Sequence, residues 1–196
     1  MTKQRVTAVV LAGGQGQRMG GQDKGWIIFR EKPMVQHVLE QIEPQVDHII
    51  INANRSFERY QTFGHPVIED GVEGFHGPLM GMLTGLKHTV SDWVLFVPCD
   101  TPALPDNLAE KLFHAAKENG ADIAVAHDGE RLQPVIALLH KSLLPSLEIW
   151  LEEGKRKIDR WFHQHRTVIV DFSDSSDSFL NINSIADKQQ IEKQAV

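Results

Sequence analysis

Short apolar runs alternate along the chain with longer segments in which apolar residues recur at intervals of three or four. Runs of about four to six residues that are rich in β-branched side chains are typical of β-strands. This pattern predicts strands at residues 6–11, 48–52, 66–69, 93–98, 122–126, 134–139 and 167–171.

The segments between these strands have helical spacing. Residues 34–42 place their apolar side chains on one face of a helix. A second helix is predicted at 107–119, between Pro105 and Gly120, and a third from Pro78 to about residue 90. Strand–helix alternation of this kind predicts an α/β domain with three layers, a mostly parallel sheet covered by helices on both faces.

The pattern is less regular in the last third of the chain. Residues 127–131 are predicted to form a turn, residues 142–153 are rich in Leu and Trp, and residues 171–178 have the composition of a surface loop. No repeat or linker separates this part from the rest. We therefore expect one domain over residues 1–196.

Composition narrows the classes of protein that fit. The chain has 196 residues, a net charge of −6 and one cysteine, Cys99. An acidic chain is a poor nucleic-acid binder overall, and a single cysteine forms no internal disulfide and suits a reducing compartment. The longest early apolar run, residues 6–12, is far shorter than a membrane span and has no signal-peptide features. We expect a cytoplasmic protein without nucleic-acid or membrane partners.

A glycine-rich segment follows the first predicted strand, with six glycines between Gly13 and Gly25. Bare backbone at the carboxyl end of a strand lets N–H groups approach phosphate oxygens. The segment matches neither the dinucleotide fingerprint, because Met19 or Arg18 replaces a required glycine, nor the P-loop. Arg18 and Lys24 add two cations, which suit a triphosphate whose β- and γ-phosphates leave as pyrophosphate. The alternative is a glycine connector with solvated charges.

Three polar residues follow predicted strands. Asp100 comes after the apolar run 93–97, where a carboxylate suits Mg²⁺, although it could also be a capping residue. Asn52 and Asp70 end two other strands at the same expected edge. Their amide and carboxylate groups could bind a base or a ribose, although both residue types are common in turns.

The glycine-rich segment "LAGGQGQRMGGQDKG" resembles the N-terminal signature of the molybdenum cofactor guanylyltransferases, which belong to a superfamily of Rossmann-like nucleotidyltransferases. Later stretches are similar to other motifs of this family: "INAN", "VIEDG", "GPLMGM", "VPCDTPALP" and "FLNINS". The last motif departs from the family pattern, because Ser184 and Ile185 stand where the family has Thr-Pro.

The resemblance implies a reaction in which GMP is transferred from GTP to the phosphate of molybdenum-loaded molybdopterin, with release of pyrophosphate. It implies Mg²⁺ bound by Asp100, and catalytic roles for Arg18, Lys24 and Asp100. It also implies a GTP-binding half at about 1–105, followed by a molybdopterin-binding half at 106–196. The GTP contacts would come from Leu11, Ala12, Gly13, Lys24, Asn52, Asp70 and Asp100.

The basic run 154–161 is the one positive cluster in this acidic chain. It is either a solvated helix face or a landing site for the anionic pterin cofactor. Asn and Gln side chains can pair with the amide-like edges of a pterin. The residues predicted to bind molybdopterin are Arg131, Gln133, Lys155, Arg156, Asn181 and Asn183.

Three rival functions remain open at this point. A cytidylyltransferase for the same cofactor would typically have LAAG in place of the Gly13–Gly14 pair, and a sugar-phosphate nucleotidyltransferase would usually be longer. A non-catalytic nucleotide or cofactor carrier would not need Arg18, Lys24 and Asp100 together. Molybdenum-insertion proteins and molybdoenzyme chaperones are possible partners of a guanylyltransferase.

Overall fold

The computed structural model describes residues 6–14, 23–71 and 77–182. Within them, seven strands form one sheet in the order β5-β4-β1-β6-β8-β7-β9, and two short strands form a separate hairpin. The strands are β1 (Val6–Leu11), β2 (Ile28–Phe29), β3 (Lys32–Pro33), β4 (His48–Asn52), β5 (Val67–Ile68), β6 (Trp93–Pro98), β7 (Ile123–His127), β8 (Leu132–His140) and β9 (Thr167–Asp171).

Helices connect most of these strands. They are α1 (Met34–Ile42), α2 (Phe57–Gln61), α3 (Pro78–His88), α4 (Leu108–Glu118), α5 (Leu144–Glu152) and α6 (Ile158–Phe162). Short 3₁₀ turns add to them, including Lys24–Trp26 and Ser173–Phe179. None of the helices in the described ranges is long and apolar enough to cross a membrane.

The core lies on both faces of the sheet because side chains alternate along each strand. In β1, Ala8 and Val10 belong to a cluster with the apolar faces of α1 and α4. Val9 points the other way and packs in a second cluster with α3 and α5. The predicted three-layer α/β fold is therefore confirmed.

The sheet is mostly parallel, as predicted, with one exception. β8 pairs antiparallel with both β6 and β7, whereas β9 returns to a parallel pairing with β7. The predicted strands all form, with shifts of one or two residues at β5, β7 and β8. Helix α1 has the predicted bounds, α4 is one residue shorter at each end, and the predicted loop at 171–178 contains a 3₁₀ turn.

Four parallel strands end level with one another at one edge of the sheet. Leu11 at the end of β1 is in register with Asn52 of β4 and with Pro98 of β6, and Asn52 is in register with Ile68 of β5. The residues that follow these strands are thereby brought to the same edge. In open α/β sheets this carboxyl edge is where ligands bind.

Candidate active site

Asp100 lies at this edge, two residues after the fully buried strand β6. Its chain is tied to β1, because the N–H of Cys99 donates to the carbonyl of Leu11 at 3.2 Å. Lys24 Nζ donates to Asp100 Oδ2 at 3.0 Å, and the two side chains are 24% and 13% exposed. The structure thus pairs two residues of the predicted catalytic set that are far apart in sequence.

Lys24 begins the 3₁₀ turn Lys24–Trp26, and the side chain of Asp23 caps the amino end of this turn. Asp23 Oδ1 accepts hydrogen bonds from the N–H of Gly25 at 3.2 Å and from the hydroxyl of Tyr60 at 2.6 Å. Trp26 completes the turn and stacks on Phe63, with ring centroids 5.4 Å apart. The hydrogen bond to Tyr60 anchors the turn to α2, and the stacking on Phe63 anchors it to the segment that follows α2.

The other predicted nucleotide residues form a network next to this pair. Asn52 Nδ2 donates to Asp70 Oδ1 at 3.0 Å. Thr84 of α3 donates to the same oxygen at 2.8 Å, and Asn54 Nδ2 donates to Asp70 Oδ2 at 2.9 Å. The N–H of Asp70 in turn donates to Asn54 Oδ1 at 2.8 Å. A carboxylate oxygen has two acceptor positions, so Asp70 keeps free capacity on Oδ2 only.

Two glycines let the backbone approach this network closely. A Cβ on Gly13 would lie 2.8 Å from Asn54 Nδ2, and a Cβ on Gly81 would lie 2.5 Å from Asn52 Oδ1. Ala12 is buried, and its N–H is used in a 2.8 Å hydrogen bond to the carbonyl of Asn52. The predicted nucleotide segment Leu11, Ala12 and Gly13 therefore lies directly against the Asn52–Asp70 network.

Asn181 also lies at the Asp100 side of this edge. Thr101 Oγ1 donates a short hydrogen bond to Asn181 Oδ1, and the N–H of Ile182 donates to the carbonyl of Asp100 at 3.0 Å. The "NIN" stretch is thus tied to the turn after β6. Arg18 and Asn183, which belong to the same predicted site, lie outside the described residues.

Burial controls the titration of two groups beneath the site. It raises the pKa of the Cys99 thiol, and the neighbouring Asp100 charge adds to the effect. Burial likewise raises the pKa of the Tyr60 hydroxyl well above its ordinary value. Both groups therefore keep their protons at neutral pH. Cys99 is buried, with 6% of its surface exposed.

The donor set around Asp100 suits Mg²⁺ held jointly with a nucleotide. Within the described residues, no cluster of three or more His, Cys, Asp or Glu side chains could hold a metal ion unaided. Mg²⁺ is commonly bound by one or two carboxylates together with substrate phosphates and water, so a cage of protein ligands is not required. Asp100 is the residue that would hold it, and its carboxylate has one oxygen besides the one bonded to Lys24.

Arg131 and Gln133 lie around the turn that joins β7 to β8. Gln133 is buried and donates to Asp128 Oδ2 at 2.6 Å, while Asp128 Oδ1 accepts from the N–H groups of Glu130 and Arg131 at 2.8 Å each. Burial raises the pKa of Asp128, but these hydrogen bonds outweigh it and the net pKa is below its ordinary value. The Arg131 side chain is largely exposed.

Lys155 and Arg156 follow the end of α5. Arg156 Nη1 donates to the carbonyls of Leu151 and Lys155, both at 2.8 Å, so its guanidinium satisfies the carboxyl end of the helix. Lys155 pairs with Glu153 and lies 4.7 Å from the ring centroid of Trp150. The contacts described for these two residues are to α5 and its end, and none is to the Asp100 edge.

Several residues of the site were not predicted from the sequence as functional. Asn54 lies within the quoted "INAN" stretch, and its position two residues beyond Asn52 was the available signal. Thr84 and Tyr60 lie on helices, where a buried hydroxyl has no distinctive pattern. Asp23 directly precedes Lys24 in the chain, and this adjacency was the available signal.

Comparison with known proteins extends these observations. The sequence profile of the MobA-like NTP transferase domain matches residues 8–168. Molybdenum cofactor guanylyltransferases from Shewanella woodyi and Shewanella sp. (strain MR-4) are 46% and 48% identical over 187 residues, 95% of each chain.

Solved structures have the same fold. The molybdopterin-guanine dinucleotide biosynthesis protein A of Archaeoglobus fulgidus aligns with a TM-score of 0.80 at 22% identity, over 96% of this chain and 98% of the other. A 4-diphosphocytidyl-2C-methyl-D-erythritol synthase from Anaerococcus prevotii aligns with a TM-score of 0.76 at 15% identity, over 98% of each chain. The profile match and the near-full-length identity show that the chain belongs to the MobA-like NTP transferase family and is a nucleotidyltransferase of the molybdenum cofactor guanylyltransferase group.

Proposed function

We propose that this chain transfers GMP from GTP to the terminal phosphate of molybdenum-loaded molybdopterin, in a reaction that depends on Mg²⁺. The observation that carries the proposal is the Lys24–Asp100 pair, with 3.0 Å between Nζ and Oδ2, at the edge where β1 and β6 end. A departing pyrophosphate carries negative charge. Lys24, and a metal ion held by Asp100, would stabilise that charge at this one point.

In this reaction, an oxygen of the acceptor phosphate forms a bond to the α-phosphorus of GTP. The bond from that phosphorus to the bridging oxygen of the β-phosphate breaks, and its electron pair leaves with pyrophosphate. The acceptor phosphate is already largely ionised near neutral pH, so no general base is needed. Bound Mg²⁺ would neutralise charge on the phosphate oxygens, and Asp100 is the proposed ligand.

The protein contributes charge and position. Lys24 and Arg18 are proposed to hold the β- and γ-phosphates, and Leu11, Ala12 and Gly13 are proposed to contact GTP. When the triphosphate binds, Lys24 can exchange its contact with Asp100 for phosphate oxygens, and the Asp100 carboxylate would then be available as the ligand of Mg²⁺. Neither charge would then be left unpaired in this half-buried position.

Asn52 and Asp70 are proposed to position the nucleoside. The remaining acceptor capacity on Asp70 Oδ2 suits one donor, such as a ribose hydroxyl, whereas Oδ1 is filled by Asn52 and Thr84. The backbone at Gly13 and Gly81 packs directly against this network, because a Cβ on Gly13 would lie 2.8 Å from Asn54 Nδ2 and a Cβ on Gly81 would lie 2.5 Å from Asn52 Oδ1.

The second substrate is proposed to bind on the other side of Asp100. Asn181, which is tied to Thr101, supports this placement. The buried hydrogen bond between Gln133 and Asp128 fixes the turn that carries Arg131, and this order supports a place for Arg131 in the binding surface. The complete proposed set is Arg131, Gln133, Lys155, Arg156, Asn181 and Asn183.

Product formation tests the proposal directly. Molybdenum-loaded molybdopterin would be incubated with GTP, CTP, ATP or UTP, with Mg²⁺ or with EDTA, using the wild-type protein and an Asp100→Ala variant. We expect a guanine dinucleotide product from GTP alone, in the presence of Mg²⁺, and from the wild-type protein only. Turnover with CTP instead would identify a cytidylyltransferase. GTP binding without product would identify a non-catalytic carrier.

A further inference from the structure

We propose that Tyr60 is a positioning residue for this reaction and that its hydroxyl, acting through Asp23, holds Lys24 at the site. The inference rests on the proposed role of Lys24 in binding the triphosphate. Tyr60 lies on α2, outside the glycine-rich segment and outside the strand ends that carry most of the other site residues.

Hydrogen bonds link Tyr60 to both flanks of Lys24. The Tyr60 hydroxyl donates to Asp23 Oδ1 at 2.6 Å, and the N–H of Gly25 donates to the same oxygen at 3.2 Å. Asp23 and Gly25 are the immediate neighbours of Lys24 in the chain. One carboxylate oxygen therefore closes the turn around Lys24, and Tyr60 holds that oxygen in place.

Packing shows how directly the turn lies on this hydroxyl. A Cβ on Gly25 would lie 2.3 Å from the Tyr60 oxygen, so the backbone of the turn is in contact with it. Trp26, the next residue, lies with its ring centroid 5.4 Å from that of Tyr60, and the guanidinium of Arg59 lies 4.0 Å from the Trp26 ring. The turn and α2 form one packed unit that carries Lys24.

The Tyr60 hydroxyl is important because few other groups among the described residues donate a hydrogen bond to the Asp23 carboxylate. Its second oxygen, Oδ2, is buried and has no hydrogen-bond partner within residues 6–14, 23–71 and 77–182. A buried carboxylate is costly unless it is hydrogen-bonded. Tyr60 is itself fully buried, and burial raises its pKa, so the hydroxyl remains a donor at neutral pH. Without this donor, Asp23 would shift toward solvent and take Lys24 away from Asp100.

Tyr60→Phe removes only the hydroxyl and keeps the packed ring. We expect kcat/KM for GTP to fall about 10- to 100-fold, the effect of losing one hydrogen bond to a charged group. The matched control is Thr7→Val, which removes another buried hydroxyl, bonded to Ser91 Oγ at 2.8 Å at the amino end of β1. It should leave kcat/KM within about twofold, because it lies at the opposite edge of the sheet.

A double-mutant cycle with Lys24→Ala separates positioning from general destabilisation. If Tyr60 acts through Lys24, adding Tyr60→Phe to Lys24→Ala should cause no further loss of kcat/KM. Losses that multiply would overturn the inference. If Tyr60→Phe does not fold, Asp23→Ala tests the same link from the other side and should give a similar loss, whereas turnover close to wild type would overturn it.

The outcomes also distinguish this inference from the proposed function. Normal turnover in Lys24→Ala would overturn the proposed role of Lys24, and this inference with it. A large loss in Lys24→Ala combined with equal activity of Tyr60→Phe and Thr7→Val would overturn the role of Tyr60 alone. Absence of product from the wild-type protein would instead count against guanylyl transfer itself.

Discussion

Gly13→Ala tests whether the glycine-rich segment is shaped by the polar network beneath it. An added Cβ would lie 2.8 Å from Asn54 Nδ2, whereas ordinary van der Waals contact begins at 3.4 Å. Gly13 does not have a positive φ, so alanine fits its backbone conformation and the conflict is purely steric. The Asn54 amide must therefore retreat by the difference between 3.4 and 2.8 Å, about 0.6 Å.

The energetic cost follows from the hydrogen bonds of Asn54. Its amide donates to Asp70 Oδ2 at 2.9 Å and accepts from the N–H of Asp70 at 2.8 Å. A shift of this size weakens both bonds, and a hydrogen bond to a charged group contributes about 1.5–3 kcal/mol. We expect Gly13→Ala to lower the free energy of unfolding by about 1–3 kcal/mol. For a protein of this size, that corresponds to a fall in Tm of about 2–12 °C.

The neighbouring glycine provides a matched control. A Cβ on Gly14 would meet no atom within 4 Å, and Gly14 does not have a positive φ either. Gly14→Ala should therefore change the free energy of unfolding by no more than about 0.5 kcal/mol. Urea and thermal unfolding of the two variants without nucleotide would measure this contrast, free of any effect on GTP binding. Equal stability of Gly13→Ala and Gly14→Ala would refute the steric argument.

Three further predictions concern the charges of the site and the β7–β8 turn. Asp100→Ala should remain folded by circular dichroism but lose at least about 100-fold in kcat/KM, because charge neutralisation carries the reaction; normal turnover would contradict the metal assignment. Lys24→Ala should raise KM for GTP and lower kcat/KM by about 100-fold, whereas an unchanged rate and GTP affinity would remove Lys24 from the site. Asp128→Asn should lower the free energy of unfolding by about 1–2 kcal/mol at pH 7, because an amide cannot replace all the acceptor positions of the carboxylate. Since the folded-state pKa of Asp128 lies below its unfolded value, this stabilisation is complete above the unfolded pKa and is lost as the pH falls through the folded pKa. Urea unfolding of both proteins between pH 7 and pH 2 measures the difference, and coincident curves at pH 7 would contradict it.

The fold was predictable because its signals are local. The bounds of β1, β4, β6 and α1 agree with the apolar runs and helical spacing that the sequence shows. The direction of β8 was missed, although a signal for it was available. Four residues separate β7 from β8, with Gly129 at a φ of 99°, and a connection this short can join only antiparallel strands. The turn at 127–131 was predicted, but its consequence for strand direction was not.

The candidate site was predictable where a residue ends a strand. Asn52, Asp70 and Asp100 could be placed at one edge, because parallel strands align their carboxyl ends. Their partners could not be placed in this way. Thr84 and Tyr60 reach the site from α3 and α2, and which face of a short helix meets a strand end depends on packing across the sheet. The roles assigned to Arg131, Lys155 and Arg156 in binding molybdopterin remain predictions.

The two halves of the site differ in how freely their contacts can exchange. Asp70 accepts three side-chain hydrogen bonds at 2.8–3.0 Å, from Asn52, Asn54 and Thr84, so a ligand gains little by displacing any of them. The contact between Lys24 and Asp100 is an ion pair with both side chains partly exposed, so each side chain could exchange its partner for a ligand of the same charge. A rigid network suits the recognition of a nucleoside, whereas an exchangeable pair suits a triphosphate that must arrive intact and leave as pyrophosphate. If Tyr60 positions Lys24 as proposed, the hydrogen bonds from α2 would keep the turn that carries Lys24 in place during this exchange.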